Sequence, residues 1–301
     1  MIFKARTPSE LLRVLKLLNM RMKLSSEDEK YYLNLEKGFE GELKFDLLTG
    51  ELQNDCFILN DLLLDVNNTR FQIDTVIIFQ ETVYLFEVKN YEGEFRYEDG
   101  NLYTSSGKEI KNPLDQLKRT KSMFRQLLQT LGFHYNIDTY VIFIHPEFTF
   151  FQAPQGPPFI LPTQLNRFMK KLNTKSSYLN STHRKLADKL LSLHLDESLF
   201  ARLPVYDYQQ LKKGIFCPKC SSFSVSIDRY LITCIECGFT EIVETTVLEA
   251  AKEYKLLFPE RKITTNEIYE WCGRSFHKKR ISRILAKNYK IYGLGQWAFY
   301  Q

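Results

Sequence analysis

Asp74, Glu87 and Lys89 interrupt an otherwise apolar stretch, Phe71-Gln72-Ile73-Asp74-Thr75-Val76-Ile77-Ile78-Phe79, Gln80-Glu81, Thr82-Val83-Tyr84-Leu85-Phe86-Glu87-Val88-Lys89. Two strands joined by a tight turn on Gln80-Glu81 pair in a register that sets Asp74 opposite Glu87. Residues opposed in this way have Cβ atoms about 4.5–5.5 Å apart. Two carboxylates that close repel unless a proton or a cation sits between them, and a divalent metal with oxygen ligands suits the gap. Side chains alternate along a strand, so Lys89 shares the Glu87 face while Val88 points away. Lys89 can then orient or polarise a water and offset the charge that develops on a phosphodiester. The constellation implies metal-assisted phosphoryl transfer. The plain alternative is a solvated hairpin face, but the strands are apolar, and burying Asp, Glu and Lys there without function is costly.

A second chemistry lies in Cys217-Pro218-Lys219-Cys220 and Cys234-Ile235-Glu236-Cys237-Gly238, two C-x-x-C pairs separated by thirteen residues. Four thiolates in two knuckles suit tetrahedral Zn²⁺ in a structural role. The interval holds Phe223–Ile227 and Tyr230–Thr233, alternating runs expected to be joined by Asp228-Arg229, as in a zinc ribbon over residues 213–243. A redox dithiol competes weakly, because no thioredoxin-like helical context accompanies the pairs. Ribbons bind nucleic acid, bind protein or stiffen a chain, and the sequence leaves these open.

The third feature is basic. From Thr245 to Gln301 eleven Lys or Arg face five Asp or Glu, a local +6 within a chain whose net charge is +5. Ile263 to Gly273 reads as a short helix, and Ser275 is expected to cap a second from Phe276 to about Lys287. Ile281, Ile284 and Leu285 share one face of it. Lys279, Arg280, Arg283 and Lys287 form a stripe roughly 100° wide on the other. Tyr289 to Tyr300, with Gly293, Gly295 and Trp297, is expected to form a β-hairpin wing. Helix, turn, basic helix and hairpin is similar to a winged helix-turn-helix, so residues 245–301 are expected to bind nucleic acid through the basic stripe. A basic solvated face without a partner is the alternative.

The elements that must position these groups follow from periodicity. Residues 8–48 read as helical, with Tyr32, Leu35, Phe39, Leu43 and Leu47 on one apolar face. Strands are expected over Cys56–Leu64, Phe71–Phe79 and Thr82–Lys89, then a hairpin turning on Glu98-Asp99-Gly100-Asn101. Pro113 fits a first helical turn, and Leu114, Leu117, Phe124, Leu128 and Leu131 make the next amphipathic stripe. Asp138–His145 reads as a buried strand. Phe151–Pro162, holding Pro154, Pro157, Pro158 and Pro162, reads as a loop or crossover. Helix returns over Thr163–Leu195, and 200–215 reads as a linker. This order predicts an α/β or α+β core with helices on a mixed sheet. Hydrophobic residues make up 44% and charged residues 26%, which suggests neither disorder nor a membrane protein. No apolar run is long enough for a signal peptide or a span, so a cytoplasmic protein without a membrane partner is expected.

Asp74 followed by Glu87-Val88-Lys89 resembles the PD-(D/E)xK signature of the restriction-endonuclease-like fold. More narrowly, Gly38-Phe39-Glu40-Gly41-Glu42, the Ile73-Asp74 hairpin, Phe86-Glu87-Val88-Lys89 and Asn112-Pro113-Leu114-Asp115-Gln116 together resemble the nuclease-related domain, NERD. The resemblance covers about residues 33–150. It implies a divalent ion, Mg²⁺ or Mn²⁺, held by Asp74, Glu87 and the carbonyl of Val88, with Lys89 as the catalytic lysine. It also points to Glu42 and Gln116 as site residues. Glu42 flanks its helix's buried stripe and can reach inward, or it is a solvated helix acid; Gln116 is equally an exposed glutamine. The pattern's proline before the first acid is Ile73 here, a departure that leaves the chemistry intact. Gly38 and Gly41 each cost a helix roughly 1 kcal/mol, which a close backbone approach would justify.

The expected organisation is a helical extension at 1–30, a nuclease-like domain at 31–200, the ribbon and the basic module. The expected activity is metal-dependent hydrolysis of phosphodiester bonds in DNA, with no small-molecule substrate. A DNA-binding protein with an idle nuclease-like core and a nucleic-acid or protein adaptor are the rivals. Oligomeric state is not readable.

Overall fold

The computed structural model describes residues 1–154, 156, 158–195 and 203–301. Gln155 and Pro157 of the proline-rich segment lie outside the described residues, as does 196–202, where the expected linker begins and the expected nuclease-like domain ends. The chain divides into two compact units, one of Met1–Ser9 with Leu33–Leu199 and the other of Glu10–Tyr32 with Phe200–Gln301. The expected helical extension at 1–30 is therefore shared out. Ile2–Lys4 forms a strand, β1, in the first unit; α1 (Glu10–Arg21) belongs to the second. The helical run expected over 8–48 breaks after α1 and resumes as α2 (Ser26–Gly50), with Ser25 Oγ accepting from the Asp28 N–H at 3.1 Å as its cap.

The remaining elements of the first unit are β2 (Phe57–Val66), β3 (Thr69–Ile78), β4 (Thr82–Lys89), β5 (Gly93–Glu98), β6 (Asn101–Thr104), β7 (Glu109–Ile110), α3 (Pro113–Thr130), β8 (Asn136–Phe143), β9 (Phe148–Phe151), β10 (Phe159–Ile160), α4 (Pro162–Asn173) and α5 (Ser181–Ser192). The main sheet has the order β1-β2-β3-β4-β8-β10; β2, β3 and β4 are antiparallel, and the outer pairings are parallel. It is a mixed α/β architecture with helices on both faces, consistent with a restriction-endonuclease-like fold. Phe45 of α2 and Leu165 and Met169 of α4 pack on Ile58, Ile77, Tyr84 and Phe86. Phe124 and Leu128 of α3 and Leu186 and Leu190 of α5 pack on Leu59, Val76 and Leu85 opposite. A smaller sheet, β7-β6-β5-β9, lies over Leu117, Phe143 and Phe159.

Two expectations fail for packing reasons. Leu43 and Leu47 are exposed, Leu47 by 73%, while Gly41, Phe45 and Thr49 form the buried stripe of α2. The sheet takes the face of α2 that carries Gly41 and Phe45, although the leucines lie elsewhere. The proline-rich stretch is not wholly loop: Phe159 and Ile160 are buried and pair in parallel with Val141 and Ile142.

The expected strand register holds, with an irregularity that matters. Thr75 pairs with Phe86 and Ile78 with Val83, but the β3–β4 pairing stops at Thr75, one step before Asp74 would meet Glu87. On the other side, Asn60 pairs with Thr75 and Leu62 with Ile73, skipping Asp61 and Asp74. Asp61 has φ 54°. Inward-facing residues change parity across this step: Leu59 and Val76 before it, Leu62 and Ile73 after it, all join one core. Each strand thus carries an extra residue, a bulge that re-aims side chains at the place where β3 leaves β4.

In the second unit α1 is joined by β11 (Val225–Asp228), β12 (Leu231–Cys234), β13 (Thr240–Ile242), α6 (Val243–Leu257), α7 (Thr265–Trp271), α8 (Lys278–Asn288), β14 (Ile291–Tyr292) and β15 (Phe299–Tyr300). Trp271, Tyr254, Ile268, Ile281 and Leu285 form its buried interior. Arg21 of α1 lies 4.1 Å from the Trp271 ring centre and pairs with Glu253 at 2.7 Å. The hairpin turn between β11 and β12 is Arg229-Tyr230, one residue later than expected, because Asp228 pairs with Leu231. Ser275 does not cap α8; its hydroxyl donates to the Cys272 carbonyl at 2.8 Å, and α8 starts after His277. Phe276 therefore precedes the helix and is buried. Among the described residues, no helix is long and apolar enough to cross a membrane.

Candidate functional site

The bulge and the end of β4 bring the expected acids together. Asp74 is 8% and Glu87 4% exposed. Asp74 Oδ2 accepts the Val88 N–H at 2.7 Å, and Lys89 Nζ donates to Glu87 Oε1 at 2.6 Å. The Val88 side chain turns into the core of the other face. These groups form one electrostatic system. Burial first, and then the Asp74 charge, pushes the Glu87 carboxyl up to about 7. Burial also raises Asp74, against the pull of Lys89, the Val88 N–H and Arg6. Burial acts against the Lys89 ammonium, but Glu87, Tyr91 and Asp74 outweigh it and hold its pKa above the ordinary value.

Glu42 projects inward from α2. Burial, followed by the Asp74 charge, raises its carboxyl to about 8. Its partner is Arg6, whose Nη1 donates to Glu42 Oε2 at 2.6 Å. The close approach of α2 to β4 depends on Gly41: a Cβ there would fall 2.5 Å from Asn90 Cβ. Gly38 meets nothing within 4 Å, so only one of the two glycines has that packing reason. Gln116 is half-buried in the first turns of α3, and no hydrogen bond joins it to Asp74, Glu87 or Lys89. Lys111, just before the Asn112 cap, does act on Glu87 by its charge.

Buried carboxylates that repel one another, with an ammonium alongside, have the donor chemistry that a hard divalent cation requires. The fit rests on Asp74 and Glu87. Among the described residues, the four cysteines are the only group of three or more potential ligands whose atoms all lie within 4.8 Å, so Glu42, Asp74 and Glu87 are not held together as one such group.

Sequence reasoning missed Arg6, Asp46 and Asp61. Nothing in spacing links residue 6 to residue 74. The left-handed Asp61 backbone had no glycine or Asn-Gly signal to mark it.

Cys217 and Cys237 Sγ lie 3.6 Å apart, and Cys220 and Cys234 Sγ 3.4 Å. Tetrahedral zinc with sulfur at about 2.3 Å needs edges of about 3.8 Å, so the cluster is compatible with a zinc ribbon. Both knuckles close alike: the Ser221 N–H donates to Cys217 O and the Gly238 N–H to Cys234 O, with φ of 60° and 69° at the donors.

On α8, Lys279 and Arg283 are exposed and Ile281, Ile284 and Leu285 buried. Lys287 pairs with Glu244 at 2.9 Å, and Arg280 is half-buried with its guanidinium 5.7 Å from the Tyr230 ring centre. The expected stripe is thus not uniformly free.

No curated protein and no solved structure matches the chain. Residues 37–144 match the family model of NERD, the nuclease-related domain, a span that takes in Glu42, Asp74, Glu87, Lys89 and Gln116 and leaves out β1 and Cys217, Cys220, Cys234 and Cys237. Over these residues the chain is similar to the nuclease-related domain.

Proposed function

We propose that the protein is a metal-dependent nuclease that hydrolyses phosphodiester bonds in DNA. The observation that carries the reading is the convergence of buried Asp74 and Glu87 with Lys89 at the parting of β3 and β4, inside the matched span. Asp74 and Glu87, with the Val88 carbonyl, hold Mg²⁺ or Mn²⁺. When bound there, such an ion would supply Lewis-acid polarisation of a phosphate and a water of lowered pKa. Lys89, kept protonated by its acidic neighbours, serves as a donor to the developing negative charge and not as a base. Glu42 and Gln116 line the approach.

In this reading residues 213–243 are a zinc ribbon held by Cys217, Cys220, Cys234 and Cys237, and 245–301 act as a winged helix-turn-helix. Lys279 and Arg283 contact DNA phosphates most directly, with Arg280 and Lys287 at the edges of the stripe. Support comes from the order α7, α8, β14–β15 and from the exposure of those two side chains. The test is cleavage of labelled linear, branched and single-stranded DNA by the full chain with Mg²⁺ and then Mn²⁺. Cutting that requires the cation supports the reading, and DNA binding with no cutting under either ion contradicts it.

A further inference from the structure

β1 and Arg6 fall outside the matched span, yet Arg6 reaches the Glu42 carboxylate and the Asp74 backbone. The Arg6 side chain is 1% exposed. Its Nη2 donates to the Asp74 carbonyl at 2.6 Å and to Thr75 Oγ1 at 3.3 Å; its Nη1 donates to Glu42 Oε2, and its Nε and Nη2 take Asp46 at 2.9 and 3.1 Å. From the same segment, Lys4 Nζ donates to the Asn60 and Asp61 carbonyls at 2.9 and 2.8 Å. Lys4 therefore secures the β2 half of the double bulge and Arg6 the β3 half. A bulge leaves backbone carbonyls without ladder partners, and a buried one must find a donor elsewhere. Only a planar guanidinium can meet a carbonyl, a hydroxyl and two helix carboxylates at once.

Resting on the nuclease reading, we infer that Arg6 is a positioning residue for the cation site. It fixes the backbone of Asp74 and the carboxylate of Glu42 relative to each other, so the N-terminal strand is part of the functional site and not an appendage. Charge and geometry make opposite predictions here. A buried guanidinium repels a nearby cation, so if Arg6 acted by charge alone its removal would tighten cation binding. If it positions Asp74, removal loosens binding.

The experiment is calorimetric titration of Mn²⁺ into the full chain, pre-incubated with Zn²⁺, as wild type, Arg6→Lys, Arg6→Gln, Arg6→Ala and Asp74→Ala. Removing an outer partner of a metal ligand costs roughly 10–100-fold in affinity. A loss of that size is expected for Arg6→Lys, which keeps the charge but not the fork, and for Arg6→Gln. Added guanidinium is expected to restore part of the binding in Arg6→Ala, which a merely structural role would not give. Where Arg6→Ala loses its fold by circular dichroism, Arg6→Lys decides. Equal or tighter Mn²⁺ binding by the folded Arg6 variants, with binding lost in Asp74→Ala, overturns the inference alone. Wild-type Mn²⁺ binding by Asp74→Ala overturns the nuclease reading as well.

Discussion

The backbone N–H of Val88 lies 2.7 Å from Asp74 Oδ2, so an acid side chain rejoins two strands whose ladder ends at Thr75 and Phe86. The same contact makes Asp74 a structural tie and a candidate ligand. A hydrogen bond from a backbone amide favours its ionised form, while burial opposes it.

That opposition gives a pH dependence. Glu42 and Glu87 have ordinary values of 4.5 and sit at about 8 and about 7 in the folded protein. Between these limits the folded chain binds more protons than the unfolded one, so stability falls as pH rises from about 4.5 through 7 to 8. The melting temperature without divalent cation is expected to be lower at pH 8 than at pH 5, and Mg²⁺ is expected to reduce the difference. A melting temperature that rises toward pH 8 in the absence of cation would contradict this assignment.

The two helix glycines are expected to behave in opposite ways. Gly41→Ala places a methyl 2.5 Å from Asn90 Cβ, an overpacking that costs about 1–3 kcal/mol. Gly38→Ala meets nothing within 4 Å and is expected to gain roughly 0.5–1 kcal/mol from helix propensity. Thermal or urea unfolding of the two variants measures this, and equal effects would refute the close approach at Gly41.

Much of this was legible in the sequence, and the boundary is physical. The alternation of Phe71–Lys89 set the register, because a one-residue slip would turn every side chain to the wrong face. The paired cysteines declared themselves by spacing alone. Leu43 and Leu47 misled, since helical periodicity reports which residues share a face and not which face the sheet will cover. Arg6 was invisible because its partners lie 36 or more positions away. Lys287 looked as free as Arg283 until its distant partner, Glu244, was seen beside it.

The cysteine cluster is expected to hold one Zn²⁺ per chain. Cys234→Ser is expected to lose that ion and unfold the β11–β13 sheet, since in small metal modules binding energy is folding energy. Metal content by atomic emission and circular dichroism of the variant check it. Full zinc occupancy in Cys234→Ser would exclude the four-thiolate site.

On α8, Lys279→Ala and Arg283→Ala are each expected to weaken DNA binding and lower the salt slope by about 1. Lys287→Ala removes a side chain already paired with Glu244 and is expected to do less. Fluorescence anisotropy across a salt series separates these cases, and a larger loss for Lys287→Ala would reverse the assignment of the binding face.

The most direct test compares DNA cleavage and DNA binding by wild type and Lys89→Ala in Mg²⁺ and Mn²⁺. Loss of one preorganised donor to transition-state charge costs about 10²–10³ in rate. The expected result is a loss of that order in Lys89→Ala with DNA affinity unchanged. Equal cleavage by both proteins, or binding by both with no cleavage by either, would contradict a catalytic site at Asp74, Glu87 and Lys89; the second outcome would leave a DNA-binding protein with an idle core.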